Sequence, residues 1–302
     1  MSNPYPSVDC DSPDADCTNE DLYSKADTNS ESYDSDDSDD SDDSDDSDES
    51  DDSDDSDDSD DSDDDMPELI ELNTSQMTCV TGLWDLEDTY DKCLENTLRI
   101  NCPYVFFGDK RSIEYAKQFR GDYPTYYIEY NINEFNSYKY INKTIIDDDY
   151  CKSLEINLIW NEKINMINKA ASYNIFGSEY FCWIDADIDT YKNSSPPSCV
   201  FPNTVKLNDL PKDKFIFSSD GEYDEDKVYY IWNYHYISGV SYIMHKNIIK
   251  DFAEQYQEYM EKLINNNNLW TDCVILTQMY KDNKELFYKL SEYDINIVPL
   301  LY

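Results

Sequence analysis

The residues best suited to do chemistry lie at the end of an apolar run. Tyr180-Phe181-Cys182-Trp183-Ile184 leads directly into Asp185-Ala186-Asp187-Ile188-Asp189. Alternating carboxylates after a strand share one face only if the extended conformation persists past Ile184, because strand side chains alternate between faces. If it persists, at least two carboxylates converge into a hard oxygen site of the kind that holds Mg2+ or Mn2+ and leaves positions open for substrate phosphates. The competing reading is a solvated acidic turn.

The charge of the chain frames that choice. Its 302 residues carry a net charge of −44. Residues 1–65 hold 30 of the 67 acidic side chains and a single basic one, Lys25, giving −29. From Ser35 to Asp64 they repeat Ser-Asp-Asp ten times, with Glu49 the one substitution. Like charges at that density repel, and the segment has too little apolar surface to offset its ordering entropy. The expectation is a disordered acidic tail over 1–65 and a single folded domain over 66–302. The tail reads as a solvating segment; a polyanionic decoy, a weak divalent-cation sponge and a substrate for acidophilic kinases are the functional alternatives.

Such an acidic chain is a poor nucleic-acid binder, since that affinity comes from Lys and Arg neutralising phosphates. Any phosphate ligand must be held locally, most economically through a cation. No apolar run is long enough to span a membrane, and the opening Met-Ser-Asn-Pro-Tyr-Pro lacks the pattern of a signal peptide. Nine cysteines, an odd number with no Cys-x-x-Cys pair, suggest reduced thiols in a cytoplasmic setting and argue against zinc. The sequons at Asn73, Asn142 and Asn193 would matter only in a secreted chain.

The elements that must position the carboxylates alternate along the chain. Strands are expected at Met77–Gly82, Pro103–Phe107, Thr125–Tyr130 and Tyr180–Ile184. Helices are expected from Asp88 to about Arg99, from Ser112 to Phe119 and from Ser153 to Tyr173, with short helical turns in the irregular 131–152 segment. That order implies an α/β fold with a largely parallel sheet covered on both faces, and ligands beyond the carboxyl ends of its strands. Further strands are expected at Lys214–Ser218, Val228–Trp232 and Tyr236–Met244, the last interrupted at Ser238-Gly239, where glycine permits close approach of a ligand or another backbone. Helices at Lys246–Leu263 and Trp270–Tyr280 and a closing strand at Asp294–Leu300 complete the chain.

Asp-x-Asp after a strand fits two metal-assisted reactions. One is the metal site of a GT-A glycosyltransferase, in which the cation bridges the diphosphate of a nucleotide sugar. The other is a haloacid-dehalogenase-type phosphotransferase, whose motif favours Thr at the position of Asp189 and an earlier place in the domain. Thr78-Cys79-Val80-Thr81, Pro103-Tyr104-Val105-Phe106-Phe107, Trp160-Asn161-Glu162-Lys163, Tyr180 to Ala186, Ser238-Gly239 and Thr271-Asp272 occur in that order. Together they resemble the HtrL/YibB-like family, which is similar to GT-A glycosyltransferases, here as a member from a large DNA virus.

The resemblance implies a GT-A-like, Rossmann-type three-layer sandwich over roughly residues 76–302. It implies donor binding at Thr81, Gly82, Lys163, Asp185, Ser238 and Gly239, with Lys163 directed at the diphosphate. Metal ligation falls to Asp185 and Asp187, with Asp189 and His245 as further candidates; His235 is the other histidine available. Asp272 is the candidate base or acceptor contact, unless it simply caps its helix. The chain departs from the family pattern at Val240, where a glycine is usual, and at Cys273, where an acidic residue is usual. The expected function is therefore transfer of a sugar from a UDP or GDP sugar to a glycan or protein acceptor with Mn2+ or Mg2+, in the host cytoplasm or the virion. A non-catalytic binding or virion-associated protein on the same fold is the alternative.

Overall fold

The computed structural model describes residues 76–84, 92–144, 151, 153–186, 188–226, 235–266, 271–292 and 296–302. The acidic segment over 1–65, the Asp88 cap, the Val228–Trp232 strand and Asp187 lie outside these residues. Seven strands form one sheet: β1 (Met77–Leu83), β2 (Tyr104–Gly108), β3 (Thr125–Glu129), β4 (Tyr180–Ile184), β5 (Phe215–Ser219), β6 (Ile237–His245) and β7 (Phe287–Glu292). Their order is β3-β2-β1-β4-β6-β5-β7. All neighbours are parallel except β6, which runs antiparallel to both β4 and β5.

The order matters more than the strand count. The chain steps outward from β1 through β2 to β3 and then returns to place β4 on the other side of β1. A reversal of that kind opens a crevice beyond the carboxyl ends of the two central strands, because the connections leave in opposite directions. The antiparallel β6 begins at the edge where β4 ends, as Ile184 pairs with Ser241 and Tyr180 with His245.

Alternate strand residues enter two cores. Val80, Phe181, Trp183, Phe217, Tyr242 and Met244 join a cluster with α3 (Leu154–Tyr173), α5 (Lys246–Asn266) and α6 (Asp272–Asp282). Cys79, Tyr180, Cys182, Ile184, Ile216 and Ile243 face the opposite way, onto Phe201, α4 (Thr204–Asn208) and Val298. On the same side, α1 (Lys92–Leu98) and α2 (Lys110–Arg120) pack over Leu83 and Phe106. Helices therefore cover both faces, as the strand–helix alternation requires.

The expected segments differ from the observed ones in instructive places. No strand spans the described part of 294–300: Val298 to Leu301 form a 3-10 turn, since Pro299 has no N–H for a ladder. The seventh strand is instead Phe287-Tyr288-Lys289-Leu290-Ser291-Glu292, an edge strand beside β5 whose charged and polar residues hide it in a hydropathy pattern. Strand β6 runs through Ser238-Gly239 without interruption. The cysteines at 79, 93, 102, 151, 182, 199 and 273 are thiols, not disulfides.

Helix α3 carries the residues that matter most below, and both its ends are fixed. Ser153 caps its start by accepting from the Ile156 N–H at 3.1 Å, and Asn174 in the left-handed region ends it. Midway, the buried Glu162 accepts from the Tyr130 hydroxyl, the Asn136 amide and the Ser137 N–H at 3.1 to 3.2 Å. It ties the 3-10 turns of 131–144 to the helix, and burial pushes its carboxyl above the usual range. Replacing Glu162 by Ala strands several buried donors at once. Urea unfolding at neutral pH is expected to show a loss of about 3 kcal/mol, at roughly 1–3 kcal/mol for each unsatisfied buried group.

Candidate active site

A cleft of about 480 Å³ lies beyond the carboxyl ends of β4 and β5, beside the entry to β6. Its lining comes from α3 (Trp160, Lys163), the end of β4 (Asp185), the end of β5 (Asp220), the entry to β6 (His235, Ser238, Gly239, Val240) and the start of α6 (Thr271, Asp272, Cys273). A volume of this order suits a small molecule of nucleotide size.

Its floor is an ion cluster buried around one lysine. Lys163 sits on the otherwise apolar face of α3 and its side chain is 3% exposed. Its Nζ pairs with Asp185 Oδ1 at 2.8 Å and donates to Asp185 Oδ2 at 3.2 Å and to the Gly239 carbonyl at 3.0 Å, with Asp272 Oδ2 at 3.6 Å. Oδ1 is the oxygen that also receives the Trp183 indole N–H, at 2.6 Å. Strand alternation explains that last contact, because residues 183 and 185 point to the same face, the one α3 covers.

One lysine faces two carboxylates, so the cluster is short of positive charge. Burial alone would lower the Lys163 pKa, but Asp185 and Asp272 outweigh it and hold the ammonium above its ordinary value. Burial pushes both carboxyls up, against the pull of Lys163. Asp272 Oδ2 is buried with no hydrogen-bond partner, as is Thr271 Oγ1 beside it. Burial and then Asp272 push the Cys273 thiol far up, so it is no thiolate nucleophile. Gly239 has no room for a side chain: a Cβ there would meet Cys273 Sγ at 2.6 Å and the Asp272 oxygens at 3.0 and 3.2 Å.

Several sequence expectations change here. The extended course ends at Asp185, whose N–H still donates to the Val240 carbonyl, because Ala186 lies in a turn and Asp189 opens a 3-10 turn. The alternation argument for three carboxylates on one face therefore fails. His245 is no metal ligand for this site: it pairs with Tyr180 at the far end of β4 and contacts Glu179. Lys163 does not reach out to a diphosphate, because its ammonium is spent on the floor of the cleft. Thr81 and Gly82 end β1 next to β4 but do not line the cleft. A Cβ on Gly82 would meet the Trp84 ring at 2.6 Å, so this glycine makes room for a tryptophan, not a ligand. Asp272 is the first residue of α6, whose cap position is Thr271; it lines the cleft but is only 1% exposed. Ser238 and Gly239 do line the cleft, and so does Asp185.

The metal expectation fits poorly at Asp185, whose oxygens already receive Lys163 and Trp183. Among the described residues no group of three or more His, Cys, Asp or Glu side chains forms a metal site.

Sequence reading missed Asp220 altogether and treated His235 only as a ligand. They pair across the cleft wall, His235 Nε2 to Asp220 Oδ2 at 2.5 Å, with side chains 21% and 25% exposed. The pairing of β5 with β6 sets them together, since the Asp220 N–H donates to the Tyr236 carbonyl next to the Ser219–Ile237 pair. Asp220 is thus a cleft carboxylate that stands clear of the lysine cluster.

A family model described as "Bacterial protein of unknown function (HtrL_YibB)" matches residues 147–294. The matched span runs from just before α3 to beyond β7 and includes every residue that lines the cleft. It supports the family to which the sequence motifs pointed. No curated protein matches the chain.

Removing Lys163 would leave two buried carboxylates facing each other. Lys163→Met is expected to lower stability by about 3–5 kcal/mol, the usual range for breaking a buried pair. Thermal and urea unfolding of the variant beside wild type would measure this, and a loss below about 1 kcal/mol, typical of an exposed pair, would mean that the cluster is solvated.

Proposed function

We propose that this chain is a glycosyltransferase of GT-A type, which moves a sugar from a nucleotide-sugar donor to a hydroxyl-bearing acceptor within this cleft. The observation that carries the reading is the position of the cleft. It lies beyond the carboxyl ends of β4 and β5, the edge of a mostly parallel sheet where ligands bind, and its walls carry a carboxylate from each.

In this reaction the bond between the anomeric carbon and the donor phosphate breaks, and its electron pair leaves with the nucleoside diphosphate. The acceptor oxygen bonds to that carbon and gives up its proton. Asp272 is enclosed and Asp185 is engaged with Lys163 and Trp183, which leaves Asp220 as the accessible carboxylate to take the proton. His235 holds one Asp220 oxygen and leaves the other for the acceptor. Trp160 and Val240 supply apolar surface in the lining. The expected Mn2+ or Mg2+ has no ligand set among the described residues, and no step is assigned to it.

A binding-only role is the second reading, and one observation favours it. Lys163, the lysine in the described lining, is enclosed, so the cleft offers a donor diphosphate no open cation of its own. A phosphotransferase using Asp185 as nucleophile is disfavoured, because neither of its oxygens is free for attack.

Nucleotide release from a panel of UDP and GDP sugars separates these readings. Wild type is expected to bind at least one donor by calorimetry and to release its nucleoside diphosphate. Asp220→Asn should retain donor binding while turnover falls by about 100-fold or more, the usual contribution of a positioned general base. Donor binding without turnover in wild type would select the binding-only role, and binding of no nucleotide would remove the transferase reading.

A further inference from the structure

The surroundings of the Lys163 ammonium have the chemistry of a cation site. Nζ lies 2.8 and 3.2 Å from the two Asp185 oxygens, 3.0 Å from the Gly239 carbonyl and 3.6 Å from Asp272 Oδ2. These oxygens come from the end of β4, from β6 and from the start of α6, three separate elements that converge on one point. Two carboxylates and a backbone carbonyl are the hard oxygen set that a divalent ion takes. Here the set is filled from within the chain, the Asp185 and Gly239 oxygens at distances proper to N–H···O hydrogen bonds and Asp272 Oδ2 at ion-pair distance.

We infer that Lys163 is the resident cation of this site and that Asp185 is a positioning residue for it, not a ligand for a divalent ion. A dication on either Asp185 oxygen would sit against an enclosed ammonium of like charge, with little water between them to screen the repulsion. The indole N–H of Trp183 occupies Asp185 Oδ1 from the other side. The lysine therefore does what a structural ion would do: it holds β4, β6 and α6 at a fixed separation around the cleft. Any divalent ion used by the protein arrives with its ligand or binds outside this cluster. The inference does not depend on the identity of the cleft's ligand.

Titration of the full chain with Mn2+ alone, followed by calorimetry and electron paramagnetic resonance, tests this. Residues 1–65 contribute the same background to every variant, so differences between variants are what count. Asp185→Asn is expected to match wild type in Mn2+ stoichiometry and affinity within about twofold. Lys163→Met uncovers the oxygen set and is expected to gain an Mn2+ site, about tenfold or more tighter than the background, or roughly 1.4 kcal/mol. Adding Asp272→Asn to Lys163→Met should abolish the gain. Loss of an Mn2+ site in Asp185→Asn overturns the inference, and so does a folded Lys163→Met that gains none. Should Lys163→Met not fold, the Asp185→Asn comparison decides alone. No nucleotide is present, so the result is independent of the transferase reading.

Discussion

The buried ammonium of Lys163 is the constraint on which the cleft depends. A lysine enclosed by protein must find acceptors for all its protons, because desolvation of an unpaired charge costs far more than a surface ion pair returns. Lys163 finds them on β4 and β6, with the Asp272 carboxylate of α6 as an ion-pair neighbour at 3.6 Å. Those three elements are far apart in sequence, and the demand of one charge for oxygen fixes their ends together. Burial raises both carboxyls against the pull of the one lysine, and Asp272 Oδ2 is without a hydrogen bond. A buried, incompletely satisfied polar cluster is poor material for stability alone and is characteristic of a site.

Around this floor, sheet topology supplies the walls. The carboxyl ends of β4 and β5 flank the cleft, and the antiparallel β6 between them delivers Ser238 and Gly239 to the edge where β4 ends. The same pairing carries His235 up to Asp220 at the end of β5. The result is a division of labour between two groups of charged residues. Lys163 and Asp272 are enclosed, and Asp185, half-buried, is engaged by Lys163 and Trp183, so these three hold geometry; Asp220 and His235 are half-buried, pair with each other and can meet a ligand.

Much of the frame was legible because apolar runs are local signals. Strands β1, β2 and β4 and helix α3 announce themselves by buried residues at the proper spacing, and Asp185 by its place after Ile184. Strand β7 was illegible because Lys289, Ser291 and Glu292 face solvent at a sheet edge, whereas the apolar stretch before Pro299 imitated a strand. The site was legible only in part. Lys163 was marked by the family resemblance, but its partners depend on which strand neighbours β4. Asp220 and His235 meet only through the β5–β6 register, which no short-range pattern encodes. The three-carboxylate expectation failed for a local reason, the turn at Ala186, and with it went the argument from alternation.

The most direct test of this account is the protonation state of Lys163 itself. Nitrogen-15 NMR of the side-chain ammonium, assigned by comparison with Lys163→Met, follows that state through an alkaline titration. Enclosed by Asp185, Asp272 and the Gly239 carbonyl, Lys163 should remain an ammonium with slowly exchanging protons above about pH 10.4, the ordinary lysine value. Titration at or below that value, with rapid proton exchange, would contradict it, because the lysine would then be solvated and the cleft would lack the fixed floor described above.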